Sequence, residues 1–298
     1  MKKKKILIGI LSTIIVALLS LIGLFYAGII NIDFLKPDTP APIIEITPVE
    51  KKVQPQRKLW LENKGINDDY QGEIVFESGL INQPFVQAKD TIDKDGNMYH
   101  FYTENGRLVT DDSEYTGNDV YIWTNWKDMT YDYNILGGSV FMDYRNALDD
   151  QNVVIYGHHF SVGGGNDPER IKAFTPLEQL LDEANYKGNE RLDMILDNET
   201  RKYELVCVYQ FDINDDFYYD NCQYWRTQYD YDDYTDVVEN DYYQTYIDSI
   251  KKVQLYDTGV ELTTNDKTLT LQTCIGGHAG ELYEILVYKL AGTEYFDD

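Results

Sequence analysis

A cysteine and two histidines occupy positions from which they could carry out covalent chemistry. Cys274 ends an alternating, strand-like run at residues 268–273, and His158 and His159 follow an apolar run and Gly157. A thiol becomes an effective nucleophile when a neighbouring imidazole takes up its proton or stabilises its thiolate. The residue types alone leave two interpretations open, and the first is a nucleophilic Cys274 with His158 as its imidazole partner. The alternative is a buried thiol ending a core strand and a solvated loop histidine.

The other cysteines and histidines indicate no metal or cofactor. The chain has three cysteines, an odd number, so at least one lacks an intrachain partner. Cys207 lies in a strand-like run and suits a small buried side chain, although a disulfide with Cys222 remains open. Neither CxxC nor HExxH occurs, and the acidic clusters lack EF-hand spacing. Histidine precedes cysteine, which disfavours a papain-like protease.

The N-terminus predicts a membrane anchor. Lys2 to Lys5 precede residues 6–32, an uncharged and mostly apolar stretch long enough to span a bilayer. The positive-inside rule places residues 1–5 in the cytoplasm and the rest outside. A signal peptide cleaved near Ala27-Gly28 is the alternative. Residues 33–57 are rich in proline and predict an extended stalk, and residues 58–298 have the size of one domain.

The charge of the chain restricts its partners. The formal net charge is −25, from 26 basic and 51 acidic residues, and four of the lysines precede the predicted anchor. Nucleic acid is therefore an implausible partner, because binding it depends on basic contacts to phosphate. The acidic surface either provides solubility near an anionic envelope or attracts basic substrates.

The pattern of apolar runs predicts a mostly β domain. Eight short runs are rich in the β-branched and aromatic residues that strands prefer. Gly, Asn and Asp bound these runs, as they commonly bound strands. The runs are residues 73–76, 84–87, 139–143, 152–156, 192–196, 202–209, 268–273 and 285–290. Thr175-Pro176-Leu177-Glu178 predicts a capping box opening a helix through about residue 184, and apolar residues at four-residue intervals predict a helix over 235–252. A β-barrel with helical insertions is expected.

Several segments resemble those of sortases, the cysteine transpeptidases that attach proteins to Gram-positive cell walls. Residues 270–274, TLQTC, resemble the TLxTC motif of the nucleophile strand, and residues 155–159, IYGHH, resemble the segment that supplies the histidine. Residues 138–146, GSVFMDYRN, together with residues 71–74 and 83–87, are similar to segments of class B sortases. The similarity spans almost the whole external domain, in the family's order.

The resemblance implies an eight-stranded sortase-type barrel and a thioacyl mechanism. Cys274 would attack the carbonyl after a threonine in a C-terminal sorting motif of a secreted protein. An amine of a cell-wall precursor or of a pilin would then resolve the thioacyl enzyme, with His158 as acid and base and His159 as a neighbour. The tyrosine-rich segment 212–246 corresponds to a wall of the substrate groove in the family, or is a partly exposed surface.

One expected residue departs from the family pattern. Sortases carry an arginine about ten residues after the cysteine, where it steadies the oxyanion, and that count reaches Glu284. Backbone N–H groups near Thr273 and Cys274, helped by His278 or Lys289, could replace it, or an arginine from elsewhere could reach in. Otherwise the chain is an impaired, sortase-like module that binds sorting-signal peptides. A glutamate beside Cys274 would disfavour ionisation of the thiol.

Overall fold

Ten strands and three α-helices make up the described part of the chain. The computed structural model describes residues 55–88, 102–104, 107–109, 118, 121–122, 124–128, 138–159, 173–227, 240–275 and 281–296. The strands are β1 (Tyr70–Phe76), β2 (Asn82–Val86), β3 (Tyr102–Glu104), β4 (Arg107–Val109), β5 (Val140–Met142), β6 (Asn152–Tyr156), β7 (Arg191–Ile195), β8 (Glu199–Asp212), β9 (Thr268–Cys274) and β10 (Leu282–Tyr295). The α-helices are α1 (Pro55–Lys64), α2 (Asp216–Asn221) and α3 (Asn240–Val253).

Eight of the strands close into a barrel, as the apolar runs predict. Their order around the barrel is β1-β2-β5-β6-β9-β10-β8-β7, and β3 and β4 form a separate hairpin. The pairs β2–β5 and β6–β9 are parallel, and the remaining pairs of the barrel are antiparallel. All eight predicted runs are strands of this barrel, and β8 and β10 extend well beyond the predicted bounds because they pair with each other along most of their length.

Alternating side chains along the strands supply an interior core and separate clusters on the outer face. All eight barrel strands contribute to the interior cluster, which includes Ile155 of β6, Leu271 of β9 and Leu286 of β10. The opposite faces of β6, β8 and β10 pack against α3, whose Tyr243, Tyr246, Ile247 and Ile250 are buried. Because side chains alternate between the faces, neighbouring residues of β9 and β10 belong to different surroundings. This alternation decides which residues share a face with Cys274.

The helical predictions need one correction. Residues 175–178 do not form a capping box, since the N-cap is Phe174, which makes no side-chain cap hydrogen bond, and the segment Thr175–Leu181 is a 3-10 helix. Glu178 instead accepts a hydrogen bond from His159. A second 3-10 turn, Glu183–Asn185, continues the segment, and another spans Tyr224–Thr227. The predicted helix over 235–252 is present as α3, and residues 235–239 lie outside the described residues.

The predicted N-terminal organisation falls almost wholly outside the described residues. Residues 1–5, the anchor at 6–32 and most of the stalk at 33–57 are not described, and α1 begins at Pro55 within the predicted stalk. Among the residues that are described, no helix combines the length and apolar character needed to cross a bilayer.

Candidate active site

The register of two parallel strands brings His158 and Cys274 to the same end of the barrel wall. Tyr156 of β6 pairs with Gln272 of β9, and the N–H of Gly157 donates to the Gln272 carbonyl at 3.1 Å. The Thr273 hydroxyl donates to the Gly157 carbonyl at 2.8 Å. His158 directly follows Gly157 at the end of β6, and Cys274 directly follows Thr273 at the end of β9. Neighbouring strands lie only about 4.8 Å apart.

Both side chains lie on the outer face of the barrel. A Cβ placed on Gly157 would lie 2.5 Å from Cγ of Phe174, an interior residue, so Gly157 faces inward and His158, one residue later, faces outward. Leu269 and Leu271 of β9 face inward, so Cys274 lies on the outer face by the same alternation. The thiol is partly exposed, as a nucleophile that meets substrate must be. The predicted pair is therefore compatible with the strand geometry.

The surroundings of His158 fix its protonation. Its Nε2 makes a close contact with the carbonyl oxygen of Ile122, which can only accept, so Nε2 carries the hydrogen and Nδ1 of the neutral ring carries the lone pair. Desolvation by burial lowers the pKa of His158 below its usual 6.5, although the bond to Ile122 acts in the opposite direction. The imidazole is therefore predominantly neutral at pH 7, as a general base must be.

A glycine makes room for the histidine ring. A Cβ on Gly138 would lie 2.6 Å from Nε2 of His158 and 2.0 Å from the carbonyl oxygen of Ile122. Such distances are far below van der Waals contact, so only glycine lets the ring bond to that carbonyl in this position. Gly138 opens the GSVFMDYRN segment, so the start of this segment contacts the ring of His158.

The residue that stands opposite Cys274 is Tyr283 and not Glu284. In the antiparallel β9–β10 ladder Cys274 pairs with Tyr283, whereas Glu284 pairs with Thr273. Glu284 is 1% exposed and faces the interior, near Tyr256 and Tyr288. Counting ten residues from the cysteine therefore reaches the wrong face of the sheet. A role for Glu284 in contacting the oxyanion or a substrate on the outer face does not fit this register.

Glu284 is a neutral acid at pH 7. Burial, and to a smaller extent the charge of Glu178, raises its pKa from 4.5 to about 8. Neither carboxyl oxygen has a hydrogen-bond partner among the described residues. The expected repulsion between a glutamate charge and the thiolate is thus largely absent.

The remaining candidate residues are divided between two ends of the sheet. Lys289 pairs with Thr268, six residues from the thiol position along β9, which is roughly 20 Å at 3.3 Å per residue. Its Nζ bonds to Oδ2 of Asp266 and to the carbonyl of Glu261, both at 3.0 Å, so it does not serve the Cys274 end. Thr273 lies beside the thiol. His278, together with His100, lies outside the described residues.

His159 has a structural partner of its own. Its Nε2 lies 2.9 Å from Oε2 of Glu178, and this pair ties the chain after β6 to the 3-10 helix at the barrel end. The alternation that turns His158 outward turns His159 inward. The geometry favours the predicted assignment, with His158 in the acid and base role and His159 as a neighbour.

Sequence reasoning missed a buried ionic network beneath the histidine strand. Asp143 is fully buried and accepts hydrogen bonds from Nε of Arg145 at 2.9 Å, from its Nη2 at 2.7 Å, and from the Tyr156 hydroxyl at 2.9 Å. Burial alone would raise the pKa of Asp143, but the bonds and charge of Arg145 outweigh it, so the pKa is lowered. The Asp-x-Arg spacing within GSVFMDYRN is the signal that could have indicated this pair.

Aromatic residues form the surroundings of the thiol on the α3 side. Tyr224 is buried, and its ring lies 4.7 Å from that of Trp225 and 6.2 Å from that of Phe211. Burial raises the pKa of Tyr224, and the nearby charge of Cys274 contributes. Tyr224 and Trp225 belong to the predicted tyrosine-rich segment, as do Tyr218 and Tyr219, which are also described. Tyr229, Tyr231 and Tyr234 of that segment lie outside the described residues.

The other two cysteines are structural thiols. Cys207 and Cys222 are buried in the same outer cluster and are not joined, so the disulfide left open by the sequence is not formed. Burial raises the pKa of both, to about 12 for Cys222. The described residues contain no group of acidic, histidine and cysteine side chains suited to a metal ion.

Comparisons with known proteins find relatives in sequence and in fold. Sortase B of Staphylococcus aureus is 30% identical over 155 residues, covering 50% of this chain and 53% of that protein. Sortase B of Listeria monocytogenes is 26% identical over 211 residues, covering 70% of this chain and 64% of that protein. The matches thus span between about half and two thirds of the length of these relatives. No family model matches the chain.

Solved structures show the same fold at lower identity. A Staphylococcus aureus sortase B–substrate complex has a TM-score of 0.54 at 20% identity, covering 80% of this chain and 86% of the other. Clostridium perfringens sortase B has a TM-score of 0.54 at 22% identity, covering 78% of this chain and 99% of the other. The sequence matches and the shared barrel confirm the resemblance to sortases. The proteins that match are class B sortases.

Proposed function

We propose that this chain is a sortase-type cysteine transpeptidase. The observation that carries the proposal is the placement of His158 and Cys274 on the same outer face, at the same end of the adjacent strands β6 and β9. The neutral imidazole accepts the thiol proton as sulfur attacks a peptide carbonyl, and returns a proton to the leaving amine. The product is a thioacyl enzyme and a released C-terminal peptide.

The acceptor completes the reaction by the reverse chemistry. An incoming amine gives up a proton to His158, attacks the thioester carbon and releases Cys274. The proposed substrates are secreted proteins with a C-terminal sorting signal, and the proposed acceptor is an amine of a cell-wall precursor or of a pilin. No cofactor takes part in either step. We also propose that residues 6–32 anchor the chain in the cell membrane with the barrel outside.

Trapping the thioacyl intermediate tests the proposal. We expect the barrel domain, incubated with a library of sorting-type peptides and no amine acceptor, to gain the mass of an acyl fragment on Cys274. Cys274→Ala abolishes the adduct, and Cys207→Ser, which removes a buried thiol away from the site, retains it. Addition of an amine such as triglycine releases the fragment as an amide.

The alternative function is a sortase-like module that binds sorting-signal peptides without cleaving them. It is favoured by the placement of a tyrosine, and not a cationic side chain, opposite the thiol. Peptide binding with no adduct on Cys274 at any pH between about 5 and 9 would support this alternative and contradict the transpeptidase.

A further inference from the structure

Tyr283 belongs to a row of three side chains that crosses the outer face at the thiol. Tyr283 of β10 lies directly opposite Cys274 of β9 in one antiparallel ladder. On its other side it lies directly opposite Phe211 of β8 in the next antiparallel ladder. Such residues have Cβ atoms about 4.5 to 5.5 Å apart and point to the same face. The Tyr283 ring is partly exposed, and its centroid lies 6.4 Å from that of Phe211.

The reaction needs a hydrogen-bond donor on this face. When the Cys274 sulfur bonds to an acyl carbon, the π electron pair of the carbonyl moves to oxygen, and a negative charge develops that positioned donors must stabilise. The oxygen lies above the sheet, beyond the sulfur. A tyrosine side chain is longer than a cysteine side chain, so the phenolic O–H of a residue paired with Cys274 can reach an acyl group bonded to the sulfur.

The three described residues that the sequence suggested as oxyanion or substrate contacts are turned away or too far. Glu284 and Thr273 alternate to the interior side, and Lys289 is held at the opposite end of β9 by Asp266. Burial, with a contribution from Cys274, raises the pKa of Tyr283 above its usual 10.0, so the phenol keeps its proton at neutral pH and remains a donor.

We propose that Tyr283 is a catalytic residue whose phenolic O–H donates a hydrogen bond to the oxyanion formed at Cys274. The hydrogen stays on the phenol throughout. As the oxyanion collapses, its electron pair re-forms the carbonyl, the bond to the leaving group breaks, and the leaving amine takes a proton from His158. This inference rests on the proposed acyl transfer. It gives Tyr283 the role of stabilising the oxyanion, which the family resemblance assigns to an arginine.

The test compares two reactions of the same thiol. Acylation by 4-nitrophenyl acetate passes through an oxyanion, whereas alkylation by iodoacetamide does not, and both are followed on Cys274 with the rate of Cys274→Ala subtracted. We expect Tyr283→Phe to slow acylation about 100-fold, as loss of one oxyanion donor does, with alkylation changed less than twofold. Tyr283→Arg restores most of the acylation rate, because a guanidinium also donates.

The matched control is Tyr295→Phe, which removes the hydroxyl of a 71% exposed tyrosine on the same strand and leaves both rates unchanged. The proposal is overturned if Tyr283→Phe acylates within twofold of wild type, if acylation and alkylation fall together, or if the wild-type acylation rate does not exceed that of Cys274→Ala. Ester acylation that depends on Tyr283, without any thioacyl adduct from sorting-type peptides, supports the oxyanion role and contradicts the proposed peptide substrate.

Discussion

The protonation of His158 determines how the thiol can react. Burial disfavours the imidazolium and lowers the pKa of His158, while the carbonyl of Ile122 orients the ring. In the proposed reaction a neutral histidine accepts the proton of Cys274 during attack, which differs from a preformed ion pair of thiolate and imidazolium. The pH dependence of acylation distinguishes these two states.

We predict that the acid limb of Cys274 acylation has a midpoint below pH 6.5. His158 must be neutral to act as base, and its lowered pKa keeps it neutral to a lower pH than an ordinary histidine. The rate of 4-nitrophenyl acetate acylation, measured from about pH 4.5 to 8, checks this. His159→Gln leaves the midpoint unchanged, whereas a wild-type midpoint at or above 6.5 contradicts a buried neutral base.

Glu284 affects stability and not the charge at the thiol. Its pKa in the folded chain is about 8, above the 4.5 of the free group, because folding buries the carboxyl without a hydrogen-bond partner. A raised pKa in the folded state means that stability is greatest below about pH 4.5 and falls as pH rises towards 8. The loss is on the order of 5 kcal/mol, at 1.4 kcal/mol for each pKa unit between 4.5 and about 8.

We predict that Glu284→Gln removes most of this loss. Urea unfolding at several pH values between about 5 and 9 should show a flatter stability curve than wild type and a more stable variant at pH 9. Glu77→Gln, at an exposed glutamate, serves as control and keeps the wild-type slope. Glu284→Arg, which would place an arginine ten residues after the cysteine, puts a cation in the barrel interior and destabilises by about 3 kcal/mol or more.

At the scale of elements, the sequence predicts the strands better than their register. All eight barrel strands follow from apolar runs, because burial and β propensity act locally. The position opposite Cys274 depends on how residues 275–281 connect β9 to β10, and one residue more or less exchanges the two faces of β10. Spacing along the sequence therefore points to Glu284, whereas the register places Tyr283 opposite Cys274.

Partners that are distant in sequence explain the other differences. Glu178 carries the pattern of a capping residue but bonds to His159, 19 residues away. The ion pair of Asp143 and Arg145 is local, yet its link to Tyr156 depends on the pairing of β5 with β6. Propensity and spacing describe short-range preferences, and each of these contacts is decided by tertiary packing.

One buried side chain connects β6 and β9 to the neighbouring 3-10 helix. Nδ2 of Asn152 donates to the carbonyl of Tyr224 at 3.0 Å and to the hydroxyl of Thr227 at 2.8 Å. Its Oδ1 accepts from the hydroxyls of Thr268 and Thr270 at 3.0 and 2.9 Å. The start of β6, the start of β9 and the segment carrying Tyr224 are thereby fixed to one another.

We predict that Asn152→Leu destabilises the barrel by about 3 kcal/mol. Leucine has a similar size but leaves several buried polar groups without partners, each costing about 1 to 3 kcal/mol, and some of them rebind within the 3-10 turn. Urea denaturation provides the measurement, and Asn214→Leu, at an exposed position, should change stability by less than about 0.5 kcal/mol. An equal effect of both substitutions would contradict the bridging role of Asn152.

At the scale of the whole molecule, acidic charge dominates the field that a substrate meets. The chain carries 51 acidic and 26 basic residues, and many of the described cations are already paired with carboxylates, as Lys251 is with Glu261. A negative surface raises the local concentration of cationic ligands and increases their association rate, and salt reduces the effect as the screening length shortens. Peptides with a basic tail should therefore be favoured at low ionic strength.

We predict that kcat/KM for a sorting-type peptide with a four-lysine tail falls about tenfold as sodium chloride rises from about 20 to 500 mM. The same peptide with a four-serine tail should change less than twofold, because its encounter with the enzyme involves no net attraction. Acylation by 4-nitrophenyl acetate, a neutral probe of the same thiol, separates salt effects on binding from salt effects on chemistry. Equal salt dependence of the two peptides would mean that the acidic surface serves solubility alone, since steering acts only on a charged ligand.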